Sequence, residues 1–575
     1  MSTTDVSNNN NAETQPTTLI EAEVALDIEQ IVQGEVQRAV QEVIETQHQQ
    51  PLQERPLAIV LSSESNGLNS EDGNNGRPPG ESDGKICGLS RIAFFIVLFA
   101  AVVTAIAVGI AAPSFVGDEA SLPVVTVAPN MSRTMAPSNA STTLLLNLLY
   151  PSKTVEDLSP AQFNATLWVV DEDSFEWNEP NELLERHALA TFYFATGNTN
   201  TTPEWLASDI SHCEWEFVSC NENGSVLSLQ LEFKGLQGSL PAEIGRLSSL
   251  EELLLPGNRL NGQLPTELYS LTMLTWLNIG GNMLSGSLDN IGQLTRLRGL
   301  LCDGNRFQSI PNEMAKLQFL EVLKFIGSGL NSTIPANLPS SLTSLNLANN
   351  KLQGSIPFLS ALSNLQDLTL SYNNLSGQIP PTGEMTALTW MLLTDNRLDG
   401  SLNSEFGNMV RLEYFNAANN LLNASIPSEV FGISTLTSLR LENNLLSGPL
   451  PTDMSTLRRL RFLYLNKNRL SGPIPESIGN SMVGLSSLEL GYNQFTSTLP
   501  SELSKLNLRM FDVRENLLTG SVPASFNRWS LIRAAYFYSN NFTGGLENLF
   551  CDGRNSARIV EADCELTCTC CTGCK

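Results

Sequence analysis

From Val226 onward the chain repeats itself, and a fixed repeat constrains a fold more tightly than any composition does. The pattern is L-x-x-L-x-L-x-x-N-x-L, as at Leu250, Leu253, Leu255, Asn258 and Leu260. Its Asn slot falls at Lys234, Asn258, Asn282, Asn305, Ser328, Asn350, Asn373, Asn396, Asn420, Asn444, Asn468, Asn493, Asn516 and Asn540, spaced by 22 to 25 residues. No unit of that length buries its leucines alone, so the units must stack into one solenoid with layered apolar side chains. After each short strand the chain turns a corner, and a buried amide side chain there both donates to and accepts from the turning backbone.

Upstream the chemistry changes. Ile92 to Ala112 reads IAFFIVLFAAVVTAIAVGIAA, long and apolar enough to cross a ~30 Å hydrocarbon layer as one helix. It is too long, and too far from the start, for a cleaved signal peptide. Lys85 and Arg91 precede it while Asp118 and Glu119 follow, so the positive-inside bias predicts a cytosolic N-terminus. The expected topology is a type II single-pass signal-anchor at the plasma membrane, with the repeats extracellular. The sequons Asn130, Asn139, Asn164, Asn200, Asn223, Asn331, Asn374, Asn423 and Asn541 all follow the helix, as acceptors for N-glycans should.

Residues 1–91 are acidic, rich in Asn, Gln and Ser, and lack aromatics, which predicts a largely disordered cytosolic tail. Within 19–46, Ile20, Val24, Ile28, Val32, Val36, Val40 and Ile44 fall four apart, the stripe of an amphipathic helix for a cytosolic adaptor or co-receptor. Residues 113–142 are rich in Pro, Ser and Thr and read as a stalk. The formal charge of -26 excludes nucleic acid as a natural partner, because a phosphate backbone needs a basic surface. No kinase H-R-D or D-F-G, no G-x-S-x-G and no H-E-x-x-H occurs, so neither an enzyme nor a cofactor is expected.

In most units the slot is followed by x-L-x-G-x-[IL]-P, as from Asn258 to Pro265 and Asn468 to Pro475. This resembles the plant-type leucine-rich repeat family of receptor-like kinases, receptor-like proteins and wall-enzyme inhibitors. The resemblance implies an α/β solenoid: a right-handed superhelix of about 14 units over 226–546, with cysteine-stabilised caps at 143–225 and 547–575. Pro is replaced at Asp289, Asn403 and Glu547, where the array is imperfect. Leu183 to Thr196 is an apolar-faced helix candidate for the N-terminal cap, and the stretch from Cys213 through Trp215 to Cys220 is similar to the family's paired-cysteine cap. Phe217 stands where that family usually has Gly. Trp205 and Trp215 are expected as lids on the first apolar layer, and His187 and His212 as surface or cap residues. At the other end, Cys551, Cys564, Cys568, Cys570, Cys571 and Cys574 lack regular zinc-ligand spacing, so no metal is expected. They read as a disulfide-stapled cap whose fifteen pairings stay open, and they resemble the Cys-rich ends of leucine-rich repeat proteins from unicellular algae. Cys302 fills an inward leucine slot and reads as a small buried hydrophobe.

Function then falls to the concave face, where strand residues two, four and six before each slot point outward. These columns hold Trp276, Trp390, Tyr414 and Phe462, then Arg440, Tyr464 and Tyr536, then Glu442, Arg514 and Tyr538. Exposed aromatics on one sheet are enriched in binding hot spots. From Trp390 to Tyr464 the face spans on the order of 15 Å at ~4.8 Å per strand, enough for a short peptide, an oligosaccharide or part of a protein ligand. The expectation is a receptor-like recognition protein; the alternative is a non-signalling adhesion, wall-associated or enzyme-inhibitor protein.

Overall fold

The structure is a computed structural model describing residues 146–175, 180–197, 205–551 and 557–574. All of these residues belong to the second of the chain's two units, Arg133–Lys575. The tail, the stripe over 19–46, the membrane helix at 92–112, the stalk and the sequons Asn130, Asn139 and Asn200 lie outside the described residues. Among the described residues no helix is long and apolar enough to cross a membrane.

The second unit is a solenoid built on one 17-stranded sheet. Its strands are three residues long in most units, for example Leu277 flanked by Trp276 and Asn278, and all pair in parallel except the first. Val218–Cys220 runs antiparallel to Val226–Gln230, which closes one edge. One strand per slot follows from Val226–Gln230 to Ala534–Tyr536. The cap then adds Ile559–Ala562, parallel to Ala534–Tyr536, and Gly573–Cys574 beside it. Sequence reading did not anticipate that further strand.

The central residue of each strand points inward. Leu253, Leu277, Leu300, Leu323, Leu345 and their successors stack as a continuous, fully buried column. The Asn slot does what its chemistry predicts. Asn282 Nδ2 donates to Leu255 O at 3.0 Å and Ile279 O at 3.0 Å, and its Oδ1 accepts from Leu260 N at 2.9 Å. Successive units are thus tied by an amide that satisfies backbone groups of both. Ser328 keeps only the donor half, through Oγ to Cys302 O at 2.8 Å. Its unit is also where the second parallel sheet, on the strands after the slots, breaks between Arg306–Phe307 and Gln353–Gly354.

The N-terminal cap packs Pro160–Leu167 and Pro180–Ala195 on the first layer. Trp205 and Trp215 are buried there against Phe192 and Trp168, and Cys213 is bonded to Cys220. Arg186 is fully buried, donating to Asp173 at 2.5 and 2.9 Å and to Ile210 O at 2.9 Å. Phe175, Trp215 and Trp168 surround its guanidinium. A surface placement of His187 and His212 is not what the fold gives, since both are buried in the cap. Polar groups of the cap and of the first repeats meet them there: His187 lies 3.2 Å from Thr166 and 3.0 Å from Arg246, and His212 lies 3.5 Å from Glu185. Burial, then Arg246, pushes His187 down to about 3, so it is neutral in the fold. Phe217 sits at φ 69°, which is why a glycine suits that turn.

At the other end the pairings are Cys551–Cys570, Cys564–Cys574 and Cys568–Cys571. Cys302 is a buried free thiol.

Candidate ligand-binding face

The register of the long sheet sets outward residues side by side. Trp390 pairs with Tyr414, and their rings stack at 4.3 Å between centroids, 19° from parallel. Trp390 is 41% exposed, so the stack presents one flat aromatic surface to solvent. Further along, Arg440, Tyr464, Glu489, Asp512, Tyr536 and Glu561 are successive partners on neighbouring strands. They form a ladder of alternating chemistry across six strands.

Both guanidiniums of this ladder region are committed locally. Arg440 lies 4.7 Å from the centre of the Tyr464 ring. Arg514 donates to Asp512 Oδ2 at 2.9 Å and to Tyr538 Oη at 3.1 Å, and sits 4.3 Å from the Tyr536 ring centre. The carboxylates are less well served. Glu442 Oε2 and Asn466 Oδ1 are buried without a hydrogen-bond partner, and Glu489 accepts a long 3.4 Å bond from Ser487 Oγ. Burial first, then Asp512 and Glu442, pushes the Glu489 carboxyl up to about 8. Burial also raises Glu442, and burial followed by Glu489 raises Tyr464 to about 12.

Not every expected face residue is open. Trp276, Tyr414, Arg440, Glu442, Phe462 and Arg514 are half-buried on the face; the Trp276 ring lies across Gly299, leaving no room there for a Cβ. Tyr464 is buried under Arg440. Tyr536 and Tyr538, expected as exposed, are 1% and 4% accessible. The cause is the unforeseen strand Ile559–Ala562, which makes their unit an interior one and leaves them as supports for Arg514. Sequence reasoning missed Asn466, Glu489 and Asp512, although they occupy the same columns, because it looked there for aromatics and arginines. It also missed the ridge beside the face: Tyr372 and Tyr492, one residue before their slots, are exposed at positive φ.

The sequons Asn164, Asn223, Asn331, Asn374, Asn423 and Asn541 are exposed. The four in the repeats follow their slots, on the flank away from the strand face.

The repeats also match by comparison. A family described as "Leucine Rich repeats (2 copies)" matches residues 340–381, and "Leucine Rich Repeat" matches 459–481 and 484–506. Among curated proteins, Receptor-like kinase TMK2 of Arabidopsis thaliana is 28% identical over 163 residues, 27% of this chain and 18% of its own length. Leucine-rich repeat receptor protein kinase EMS1 of the same plant is 38% identical over 76 residues, 13% of this chain and 6% of its own. The chain is therefore similar, over its repeats, to leucine-rich repeat receptor-like kinases of plants, and it spans less than a fifth of the length of these relatives. Among solved structures, a TDR receptor has a TM-score of 0.48 at 31% identity, over 56% of this chain and 61% of its own. The plant peptide hormone receptor RGFR1 in complex with RGF2 has 0.46 at 28%, over 61% and 68%.

Proposed function

We propose that this chain is a membrane-anchored recognition protein that captures an extracellular peptide, or a peptide segment of a protein, along the strand face from Trp390 to Arg514, without an enzymatic step of its own. The stack of exposed Trp390 on half-buried Tyr414 carries the reading. Two aromatic planes held in register on adjacent strands are a preorganised apolar anchor, and such anchors dominate binding energy. The neighbouring polar ladder supplies directional contacts, and an extended segment of a few residues matches its length. The N-terminal tail would report occupancy through a cytosolic adaptor or co-receptor from the inner side of a type II anchor.

The test is a screen of the purified full-length chain against random peptide and glycan libraries, beside Trp390→Ser/Tyr414→Ser. Peptide binding weakened about thirtyfold or more in the variant, the scale of a hot-spot loss, with melting unchanged, supports the reading. Equal binding by parent and variant refutes the face assignment. Binding confined to glycans replaces the ligand class.

A further inference from the structure

Resting on that reading, we infer that the strand face between Arg440 and Asp512 holds a subsite for a cationic nitrogen of the ligand, the guanidinium or ammonium of a basic side chain, received by Glu442, Asn466 and Glu489.

The argument begins with the donors already spoken for. Arg514 spends its guanidinium on Asp512 and Tyr538, and Arg440 lays its own over Tyr464. Both guanidiniums act on Glu489 electrostatically. Three acceptors on three consecutive units are left short of donors: Glu442 Oε2 and Asn466 Oδ1 with none, Glu489 with the long contact from Ser487. Buried acceptors are ordinarily satisfied, so a group of them on a binding face calls for an external donor.

Charge decides what kind of donor. Burial, Asp512 and Glu442 all oppose ionisation of Glu489, so it holds a proton at neutral pH, and a cation bound between Glu442 and Glu489 takes that proton's place. A cation removes that repulsion, whereas a neutral amide or hydroxyl leaves it. A bare metal ion fits less well than an organic cation. Among the described residues, Glu442, Glu489 and Asp512 do not bring three carboxylates within 4.8 Å of one another, and the three acceptors stand on consecutive units, with neighbouring strands about 4.8 Å apart. A guanidinium presents five donors over a plane several ångströms across, which suits spread acceptors. Phe462 and Tyr464, edge-to-face at 6.2 Å, offer ring surface for the aliphatic stem or for a cation over the ring.

The experiment uses arginine amide as the probe and citrulline amide as its neutral isostere, titrated calorimetrically into the full-length chain. Saturable binding of arginine amide with at least tenfold preference over citrulline amide is expected. Glu489→Gln and Glu442→Gln, both of nearly unchanged shape, should each cut that affinity tenfold or more while circular dichroism and melting report an intact fold. Trp390→Ser/Tyr414→Ser should leave it unaltered, so failure of the aromatic anchor and failure of this subsite are read separately. No saturable binding of arginine amide, equal binding of the two probes, or full binding by both Glu variants overturns the inference.

Discussion

The first repeats and the later ones solve the same backbone problem with different residues. In every unit the residue just before the slot is left-handed, with φ between 52° and 68°. From the second unit to the fifth it is Gly257, Gly281, Gly304 and Gly327; afterwards it is Asn349, Tyr372, Asp395, Asn419, Asn443, Lys467, Tyr492, Glu515 and Ser539. Glycine adopts that conformation freely, Asn and Asp at modest cost, and other L-residues at about 1–2 kcal/mol. The later units accept the strain and gain side chains along the rim of the strand face. Asn443 Nδ2 donates to Asn419 Oδ1 at 2.8 Å, and Asn419 Nδ2 to Asp395 Oδ1 at 3.1 Å. Tyr492 faces Arg514, 5.6 Å from its ring centre. Non-glycine residues at positive φ thus line the rim beside the aromatic stack and the charged ladder. Phe233, in the first unit, is the exception: φ 55°, 68% exposed, its ring over Gly257.

The largest effect should come from the element both halves share. Asn420→Ala removes three donations, to Leu393 O, Ala418 O and Ala417 O, and one acceptance from Leu398 N. Leu393 O, Ala417 O and Ala418 O keep other donors, but the buried Leu398 N–H loses its acceptor, at about 1–3 kcal/mol for such a loss. A decrease of about 3 kcal/mol in urea unfolding is expected; a loss under 1 kcal/mol would mean that water replaces the amide. Next come paired substitutions of opposite sign. Gly257→Ala meets a positive φ and a Phe233 ring 2.2 Å from its Cβ, and should cost about 2 kcal/mol. Tyr372→Gly relieves an exposed residue at φ 59° and should gain about 1 kcal/mol. If both destabilise, the contrast between the halves is not one of backbone strain.

Acid and base should also act at different ends. Glu489 is held up at about 8 against an ordinary 4.5, chiefly by burial, so the fold keeps a proton that the unfolded chain releases. That contribution is complete below pH about 4.5 and is lost as pH rises through 8. His187 is held down at about 3 against 6.5; its contribution is present above pH 6.5 and is lost as pH falls towards 3. Hydrogen exchange should therefore loosen first around Tyr464–Asp512 on raising the pH from 6 to 9, an effect abolished by Glu489→Gln. On lowering it from 6.5 to 4, the strand Val226–Gln230 and its neighbours should loosen first. Uniform loss of protection in both directions would break the assignment.

How much of this was legible depended on range. The leucine column, the slot and its hydrogen bonds follow from a local period, so Asn282 and its partners could be read directly. The glycine run before the slots was equally visible in Gly257, Gly281, Gly304 and Gly327, but the requirement it expresses emerges only when Tyr372 and Lys467 are seen to share the conformation. Glu489 and Asp512 were in known columns, yet their significance lies in what their neighbours do with their hydrogen bonds, which no period encodes. Tyr536 and Tyr538 were misjudged because exposure depends on the next strand, and Ile559–Ala562 carries no repeat signature. The three C-terminal disulfides depended on a path that six crowded cysteines do not specify.

The smallest effect is the sharpest probe of the contrast. Asn443 stands at φ 54°, a conformation that Asn tolerates far better than Tyr or Lys. Asn443→Gly should therefore leave stability within about 0.5 kcal/mol of the parent, because relief of mild strain offsets a gain in unfolded-chain freedom. What it must lose is the 2.8 Å bond to Asn419, and with it the rail joining Asp395 to the units that carry Arg440 and Glu442. If the rim exists to stiffen the binding half, exchange of the Asn419 side-chain amide should quicken and peptide affinity fall two- to threefold while melting stays put. If melting falls with affinity, the ladder is a plain structural bond, and the later units carry their side chains at these corners for a reason other than the face beside them.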